Sequence, residues 1–222
     1  FKRTLREAAI RHDMFATFMA KPMQNEPGSA MHIHQSVVDL GTGKNIFSCA
    51  DGSASEQFLH YIGGLQKYMP LAMALVAPYV NSYRRITKNA SAPINVQWGR
   101  DNRTAGFRVP HSSPAGRRVE NRIAGSDANP YVALAVTLAC GYLGIKNQIE
   151  PTPETRGAIN GVDFELPRSL ERALRDLDEC PELHEVLGED FVNLYISVKD
   201  AEFEEFMTVI SPWERENLLL TV

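Results

Sequence analysis

The stretch from Asn81 to Arg122 contains no long helical pattern, whereas the segments on either side of it do. Short apolar runs alternate there with polar and glycine-containing segments, a pattern that predicts short strands joined by loops. A strand-rich centre flanked by helices is typical of the α+β class. The strands of this centre are expected at 94–98, 105–109 and 118–122.

Upstream of this centre, the sequence predicts two helical segments and a hairpin. Ser55 is the expected N-cap of the second helical segment, which begins at about Glu56 and resumes after Pro70. A turn at 39–43 is expected to join two strands as the hairpin. The expected elements are a helix at 1–12, strands at 15–19, 30–38 and 45–47, and helices from 56 and from 70 up to about 77.

Downstream of the centre, Asp127 is the expected N-cap of a helix that has Pro130 in its first turn and extends to about Ile149. This helix is apolar nearly all round, which predicts that it is buried. A loop at 150–166 separates the motif-bearing part of the chain, 15–149, from a helical tail at 167–220. Helices are expected in the tail at 169–178, 183–187, 190–209 and 212–219, the last with Ser211 as its cap.

Composition argues against several classes of function. The chain has 222 residues, 44% of them hydrophobic, which suffices for one large core or two small ones. Its net charge of −4 argues against a general nucleic-acid binder. The longest apolar stretch, 69–80, is too short to span a bilayer and is interrupted by Pro70 and Pro78. Neither a nucleic acid nor a membrane is therefore expected as a partner.

The three cysteines, Cys49, Cys140 and Cys180, are far apart and form no CxxC pair. This usage predicts core or bystander thiols in a reduced, cytoplasmic compartment. The chain starts at Phe1 rather than at Met, and helix-like sequence follows directly. We therefore expect it to be the C-terminal part of a longer protein.

Two histidines, His32 and His34, alternate on the strand predicted at 30–38 and follow the loop residues Gly28 and Ser29. Alternate residues of a strand point to the same face, so the two imidazoles are expected side by side, as in a metal or phosphate site. A structural role for this pair remains the alternative. The histidines without such a context, which we expect to be surface or core residues, are His12, His60, His111 and His184.

Eight arginines lie between Arg84 and Arg122, counting both ends. Among them, Arg118 and Arg122 alternate with Glu120 on one strand face. An exposed salt-bridge ladder would produce the same alternation, but here the positive charge is not balanced, which favours an anionic ligand. A carboxylate flanked by arginines stays ionised and suits a hard cation such as Mg²⁺ or Mn²⁺.

Five segments, which follow one another along the chain, are similar to motifs of the glutamine synthetase family in the same order. They cover about residues 15–149, whereas the helical tail fits the family without a motif of its own. The resemblance implies a catalytic domain with an antiparallel β-sheet core wrapped by helices. The five segments are Gly28–Ser36, which resembles the family's ATP-binding signature, Asn81–Arg85, Ala92–Arg103, Arg118–Arg122 and Asp127–Tyr131.

The resemblance also implies a reaction. ATP phosphorylates the γ-carboxylate of glutamate, and an amine then displaces phosphate from the γ-glutamyl phosphate. Divalent metals and arginines would stabilise the transferring phosphoryl group. The implied roles are metal binding for His32 and Glu120, nucleotide binding for His34 and Ser36, glutamate binding for Gly28 and Arg85, contact with the ATP phosphates for Arg103 and Arg108, with Arg103 also near glutamate, and stabilisation of the γ-carboxylate and its phosphoryl adduct for Arg122. Arg103 and Arg122 are the expected catalytic residues.

The sequence departs from the family pattern at Ser91. Glutamine synthetases proper carry at this position a loop glutamate that shields the ammonium pocket and helps to deprotonate the nucleophile. A serine hydroxyl offers no negative charge and no base at neutral pH, and it leaves room for a bulkier amine. This favours the γ-glutamylamide branch, including the γ-glutamylpolyamine synthetases, over an enzyme that uses ammonia. Two smaller departures are Pro27 in place of an asparagine and Ala115 near the position of a nucleotide-contacting lysine.

In the family, most metal carboxylates and a small N-terminal β-domain precede the segment that matches this chain. That domain completes the active site of a neighbouring subunit in a ring-shaped homo-oligomer. Because one histidine and one glutamate do not fill a two-metal site, this stretch by itself is expected to lack activity. A non-catalytic scaffold or sensor is the alternative of another class. The intact His32, Glu120, Arg103 and Arg122 argue against it.

Overall fold

The computed structural model describes residues 1–88 and 90–222. In that part of the chain, four short strands form one sheet, and α-helices pack around it. The predicted α+β class is confirmed. The elements are α1 Lys2–Ile10, β1 Ile33–Gln35, α2 Glu56–Tyr68, α3 Met73–Val76, α4 Val80–Tyr83, β2 Trp98–Arg100, β3 Phe107–Val109, a 3₁₀ turn at Pro114–Gly116, β4 Val119–Asn121, α5 Pro130–Lys146, α6 Leu170–Asp178, α7 Pro181–Leu187, α8 Glu189–Met207 and α9 Pro212–Leu218.

The sheet has the strand order β1-β4-β3-β2. β4 pairs antiparallel with both β1 and β3, and its central residue Glu120 lies opposite His34 on one side and Arg108 on the other. β2 pairs with β3 in parallel, so the expectation of an antiparallel sheet is wrong for this pairing. Trp98 pairs with Phe107 and Arg100 with Val109, so both strands run in the same direction. The topology therefore places one carboxylate between a histidine and an arginine.

Helices α2 and α5 pack behind the sheet and against each other at very short range. A Cβ atom added to Gly64 on α2 would lie 2.2 Å from the carbonyl oxygen of Cys140 and 2.5 Å from the Cα of Gly144, both on α5. Asn121 joins the sheet to α5 through a 3.1 Å hydrogen bond from its Nδ2 to the Oγ1 of Thr137. The strand that carries Glu120 thus rests on a closely packed helix pair.

Several helix boundaries predicted from the sequence are confirmed. The Ser55 side chain caps α2 by accepting a 3.2 Å hydrogen bond from the Phe58 amide. Ser211 caps α9 in a capping box with Glu214, in which each side chain accepts from the other residue's backbone amide. The helical tail is present as predicted, with all bounds of α6 to α9 within two residues of those expected.

The strand predicted at 15–19 is wrong, because this segment is irregular. Phe15 is exposed, and Phe18 packs against α1 rather than against the sheet. The Lys2 ammonium lies 5.4 Å from the centre of the Phe18 ring, and the Arg6 guanidinium lies 5.3 Å from it. An apolar run without a neighbouring strand has no ladder of hydrogen bonds to join, so its β-pattern is not sufficient.

The remaining strands are shorter than predicted. The 30–38 strand is regular only at β1, and the hairpin after it is limited to one antiparallel bridge between Val38 and Asn45. Likewise, 105–109 and 118–122 each contribute only three residues to a strand. Of 94–98, only Trp98 belongs to a strand, which continues to Arg100. The sheet is therefore small, and its strands are short.

The predicted cap of α5 is also wrong. Asn129, not Asp127, is the N-cap, and its side chain accepts a 3.0 Å hydrogen bond from the Tyr131 amide. The carboxylate of Asp127 instead accepts a 2.6 Å hydrogen bond from Ser82. Pro130 occupies the first turn, as predicted.

Replacing Asn129 with alanine is expected to lower the free energy of unfolding by about 1 kcal/mol, because the first turn of α5 loses its side-chain acceptor. Chemical denaturation of the full-length protein measures this. An equal or larger loss in Asp127→Asn, with no loss in Asn129→Ala, would contradict the assignment of the cap.

The apolar composition of α5 predicts that the helix is buried on all sides. This prediction is wrong, because one of its faces is exposed. Ala133, Val136, Cys140 and Leu143 are buried in the core. The opposite face is exposed, and it is apolar as well, with the side chains of Tyr131, Leu134, Leu138 and Tyr142.

In residues 1–88 and 90–222, no helix combines the length and the hydropathy that a membrane span requires.

Candidate active site

The site is organised around the carboxylate of Glu120, whose side chain is only 3% exposed. Its Oε2 accepts a 2.7 Å hydrogen bond from Nη1 of Arg108, and its Oε1 accepts a 3.0 Å bond from Nη1 of Arg122. The same Oε1 lies 3.0 Å from Nδ1 of His32 and 3.9 Å from Nε2 of His34. The two histidines therefore face one carboxylate, as their alternation on one strand predicts.

Both titratable groups at the centre are shifted towards the forms that bind a cation. Burial raises the pKa of Glu120, but the hydrogen bond from Arg108 and the charge of Arg122 outweigh it, so the pKa is lowered and the group stays ionised. Burial and the charge of Arg122 lower the pKa of His32, although Glu120 opposes them. A neutral imidazole beside an ionised carboxylate is a pair of metal donors.

Arg108 bridges two carboxylates. Besides Glu120, it donates through Nη2 to Oδ1 of Asp101 at 2.9 Å, and the backbone amide of His111 donates to the same oxygen at 3.2 Å. The hydrogen bond from the His111 amide lowers the pKa of Asp101, and Arg108 lowers it further, whereas burial opposes them. Asp101 belongs to the Ala92–Arg103 motif, but its partnership with Arg108 depends on a β2–β3 pairing that no sequence motif indicates.

Three of the residues expected near the nucleotide, His34, Ser36 and Arg103, are exposed. Nε of Arg118 donates to Nδ1 of His34 at 3.2 Å, which orients the imidazole. Ser36, just after β1, and Arg103, in the β2–β3 loop, are both exposed. Among the described residues, Arg103 forms no ion pair, in contrast to Arg108.

A cavity of about 500 Å³ adjoins the cluster. His32 and Arg122 form one side of it, and Gly28 and Arg85, the residues expected to bind glutamate, also line it. Gly28 must be glycine for steric reasons, because a Cβ atom there would lie 2.5 Å from Cγ of Arg85. Arg85 is buried, and its guanidinium donates to the backbone oxygen of Ile123.

Ser91 lies between this cavity and a second one of about 420 Å³, and it lines both. Arg122 also lines both, whereas Arg103 lines only the second. The neighbouring Asn89 lies outside the described residues. The predicted acceptor loop thus borders the same space as the predicted glutamate residues and Arg122.

The charges that line the first cavity are mostly positive. Arg85, Arg122, Lys21 and Lys88 contribute cations, and among the described residues only Glu26 contributes a carboxylate. Sequence reasoning identified the two arginines but missed Lys21, Lys88 and Glu26. The position of Glu26 and Pro27 directly before the Gly28–Ser36 motif is the one signal that could have pointed to that segment.

His32 and Glu120 supply only part of a metal coordination sphere. Over residues 1–88 and 90–222, no group of three or more His, Cys, Asp or Glu side chains is arranged to hold a metal ion. The two side chains, whose donor atoms are 3.0 Å apart, fit a divalent cation as two of its ligands.

Fold and site together define an α+β protein with a partly enclosed, arginine-rich pocket for anions beside a histidine–carboxylate pair. The family model described as "Glutamine synthetase, catalytic domain" matches residues 1–218. The chain therefore belongs to the glutamine synthetase family, as its five motifs predict.

Individual relatives agree with the family match. The chain is 39% identical over 221 residues to the gamma-glutamylputrescine synthetase PuuA of Escherichia coli strain K12, covering 98% of this chain and 46% of that protein. It is 38% identical over 221 residues to a glutamine synthetase of Thermococcus kodakarensis, covering 95% of this chain and 49% of the relative. The chain thus spans about half the length of these relatives.

A solved structure described as "Apo GmaS without ligand" superposes with a TM-score of 0.87 at 32% identity. The match covers 99% of this chain and 52% of that one. The predicted catalytic-domain fold is confirmed by this similarity, which extends from the sheet to the helical tail.

Proposed function

We propose that this chain is the C-terminal portion, residues 1–222, of the catalytic domain of an ATP-dependent ligase that joins the γ-carboxylate of glutamate to an amine. The observation that carries the proposal is the convergence of His32, Glu120 and Arg122 at the side of a cavity that Gly28 and Arg85 also line. Phosphate and carboxylate chemistry needs cations of this kind, fixed in a partly buried site.

Arg85 and Arg122 are proposed to hold the carboxylates of glutamate. Both line the 500 Å³ cavity, and both side chains are largely withdrawn from water, which strengthens their attraction to an anion. The hydrogen bond between Arg122 and Glu120 fixes the guanidinium beside the metal ligands. A γ-carboxylate placed against Arg122 would therefore lie next to the site of phosphoryl transfer.

His32 and Glu120 are proposed to bind Mg²⁺ or Mn²⁺, with the remaining ligands supplied by groups outside this chain. Such an ion neutralises charge on the transferring phosphoryl group. The chain's own contribution is to hold the two donors together. Arg108 fixes the second carboxylate oxygen of Glu120, so that the first can face His32.

The nucleotide is proposed to lie along His34 and Ser36, with its phosphates towards Arg103 and Arg108. The γ-phosphoryl group of ATP passes to an oxygen of the γ-carboxylate and ADP leaves. The amine nitrogen then attacks the γ-carbonyl carbon, phosphate leaves, and the nitrogen loses a proton. Arg122 stabilises the negative charge on the phosphoryl adduct in both steps.

Ser91 supports an amine larger than ammonia as the acceptor. Its side chain is neutral and short, and it lines the cavity that contains Arg85 and Arg122. A polyamine or another alkylamine needs that room, whereas ammonium needs a nearby negative charge that a serine does not provide. The full-length protein is further proposed to form a ring-shaped homo-oligomer, as the resemblance to the family implies.

The test is a panel of acceptors. The full-length protein, given glutamate, ATP and Mg²⁺, is expected to release ADP with alkylamines and polyamines faster than with ammonia at equal concentration. ADP release is measured with a coupled assay, and the γ-glutamyl amide is identified by mass spectrometry. A response to ammonia alone would contradict the amine acceptor, and no ADP release with any acceptor would contradict ligase activity.

Ser91→Glu is the matched variant for this panel. The added carboxylate is expected to lower the rate with bulky amines relative to ammonia. Ser91→Ala is the control, because it removes the hydroxyl without adding charge or size.

A further inference from the structure

We propose that Glu26 binds the second ammonium group of a diamine or polyamine acceptor. This inference rests on the proposed function, and it narrows the acceptor to amines with a second positive charge. Its basis is the lining of the 500 Å³ cavity, in which Glu26 is the carboxylate and Ser91 is the neutral residue of the acceptor loop.

The charge balance of the cavity favours this role. Glutamate brings two carboxylates, for which Arg85 and Arg122 are available in the lining. A carboxylate in the same lining is unfavourable for an anionic substrate unless a cation binds to it. Of the other cations in the lining, Lys88 pairs with Asp163 and Lys21 donates to the backbone oxygen of Glu26, and neither forms an ion pair with the Glu26 carboxylate. Glutamate can offer its α-ammonium group, and a diamine acceptor offers a second ammonium group besides its reacting nitrogen.

Glu26 has no competing partner in the part of the chain that the structure describes. The Lys21 ammonium donates to the backbone oxygen of Glu26, and the Glu26 carboxylate forms no ion pair with any described residue. The side chain is exposed at the opening of the cavity. The reacting end of an acceptor must approach Arg122, whose side chain is only 12% exposed, so its other end would remain towards the opening.

The segment that carries Glu26 is anchored at both ends. At one end, Asn81 accepts from the Lys21 amide at 2.9 Å and donates to the Lys21 oxygen at 3.0 Å. At the other end, the Ser29 amide donates to the Ala20 oxygen at 2.8 Å. Pro27 restricts the backbone of Glu26 to extended conformations. The backbone that carries Glu26 is therefore anchored on both sides of this residue, and its exposed carboxylate lies in the cavity lining.

The experiment compares 1,4-diaminobutane with n-butylamine as acceptors for the full-length protein and for Glu26→Gln. The ratio of kcat/KM for the diamine to that for the monoamine is expected to fall by about fivefold in the variant, the size of one solvent-accessible ion pair. Most of the change is expected in KM. Glu26→Asp, which keeps the charge, is expected to retain part of the preference, and Glu216→Gln on exposed α9 is the control that leaves the ratio unchanged.

The outcomes separate this inference from the proposed function. A wild-type protein that accepts neither amine contradicts the proposed function and this inference with it. A wild-type protein that accepts both, with the same ratio in Glu26→Gln, overturns only the role of Glu26. An unchanged ratio with a raised KM for glutamate would assign Glu26 to the α-ammonium group of glutamate instead. Thermal melting of each variant verifies that the fold is intact.

Discussion

Arg122→Ala is expected to lower kcat of the full-length protein by about 10³-fold or more while the protein still folds. Arg122 lines both cavities and donates to Glu120, so its guanidinium lies where negative charge develops during phosphoryl transfer. Removal of one such fixed donor costs about 10²–10³ in rate in other enzymes, and a full positive charge is expected to exceed this. ADP release at saturating glutamate measures the effect.

The fold of the Arg122→Ala variant is expected to survive, because Glu120 keeps its hydrogen bond from Arg108 and its contact with His32. Arg100→Ala is the matched control: this arginine is exposed, pairs with Glu154 at 3.1 Å and lines neither cavity, so near wild-type activity is expected. Arg122→Lys retains the charge but not the fork of donors and should recover little activity. Wild-type turnover in Arg122→Ala would remove this residue from the site.

Gly64→Ala is expected to destabilise the protein by about 3 kcal/mol or more, an effect opposite in sign to the usual one. Inside a helix, alanine is more favourable than glycine by about 1 kcal/mol. Here the new methyl group would lie 2.2 Å from the Cys140 oxygen and 2.5 Å from the Gly144 Cα. Both are backbone atoms, so α2 and α5 must move apart and the buried contacts between them loosen.

The melting temperature and the yield of folded protein measure the effect of Gly64→Ala. Gly116→Ala is the control, because its Cβ would meet its nearest neighbours, Ser112 and Ser113, at an ordinary 3.6 Å. A change within about 0.5 kcal/mol is expected there. Equal stability of the two variants would show that α2 and α5 are not in such close contact.

Helix ends were predictable from the sequence where a side chain and its target amide are close in sequence. Ser55 and Ser211 illustrate this, since each caps the amide three residues later. The N-cap of α5 could not be predicted in this way. Asp127 and Asn129 are both suitable N-cap residues, and they are two positions apart. Which of them caps α5 depends on Ser82, which is 45 positions from Asp127 and donates a hydrogen bond to its carboxylate.

Which apolar face of an element is buried could not be read from composition. α5 is apolar on both faces, and only the packing of α2 and the sheet determines that Cys140 is buried while Leu138 is exposed. The strand predicted at 15–19 is wrong for the same reason, because an apolar pattern does not specify the packing partner of a segment. A pattern indicates that a surface is apolar, but it does not indicate which element covers that surface.

The candidate site was predictable in its members more than in their contacts. The alternation of His32 with His34 and of Glu120 with Arg122 correctly indicates shared strand faces. The pairing of Arg108 with Asp101 and Glu120 depends on strand register, which the sequence does not specify. The roles of all these residues in binding ATP, metal, glutamate and amine stay predictions, of which the Arg122 variants test one.

The pairing of β1 with β4 has a consequence for synthesis on the ribosome. His32 and Arg122, whose side chains approach to 3.4 Å, are 90 positions apart in the chain. At a translation rate of roughly 5–20 residues per second, His32 emerges about 5–18 s before its partner. During that interval β1 is a three-residue strand with polar His34 and Gln35, too short and too polar to recruit a foreign strand. His34, which is proposed for nucleotide binding, thus also makes β1 a poor partner for a foreign strand before β4 is synthesised.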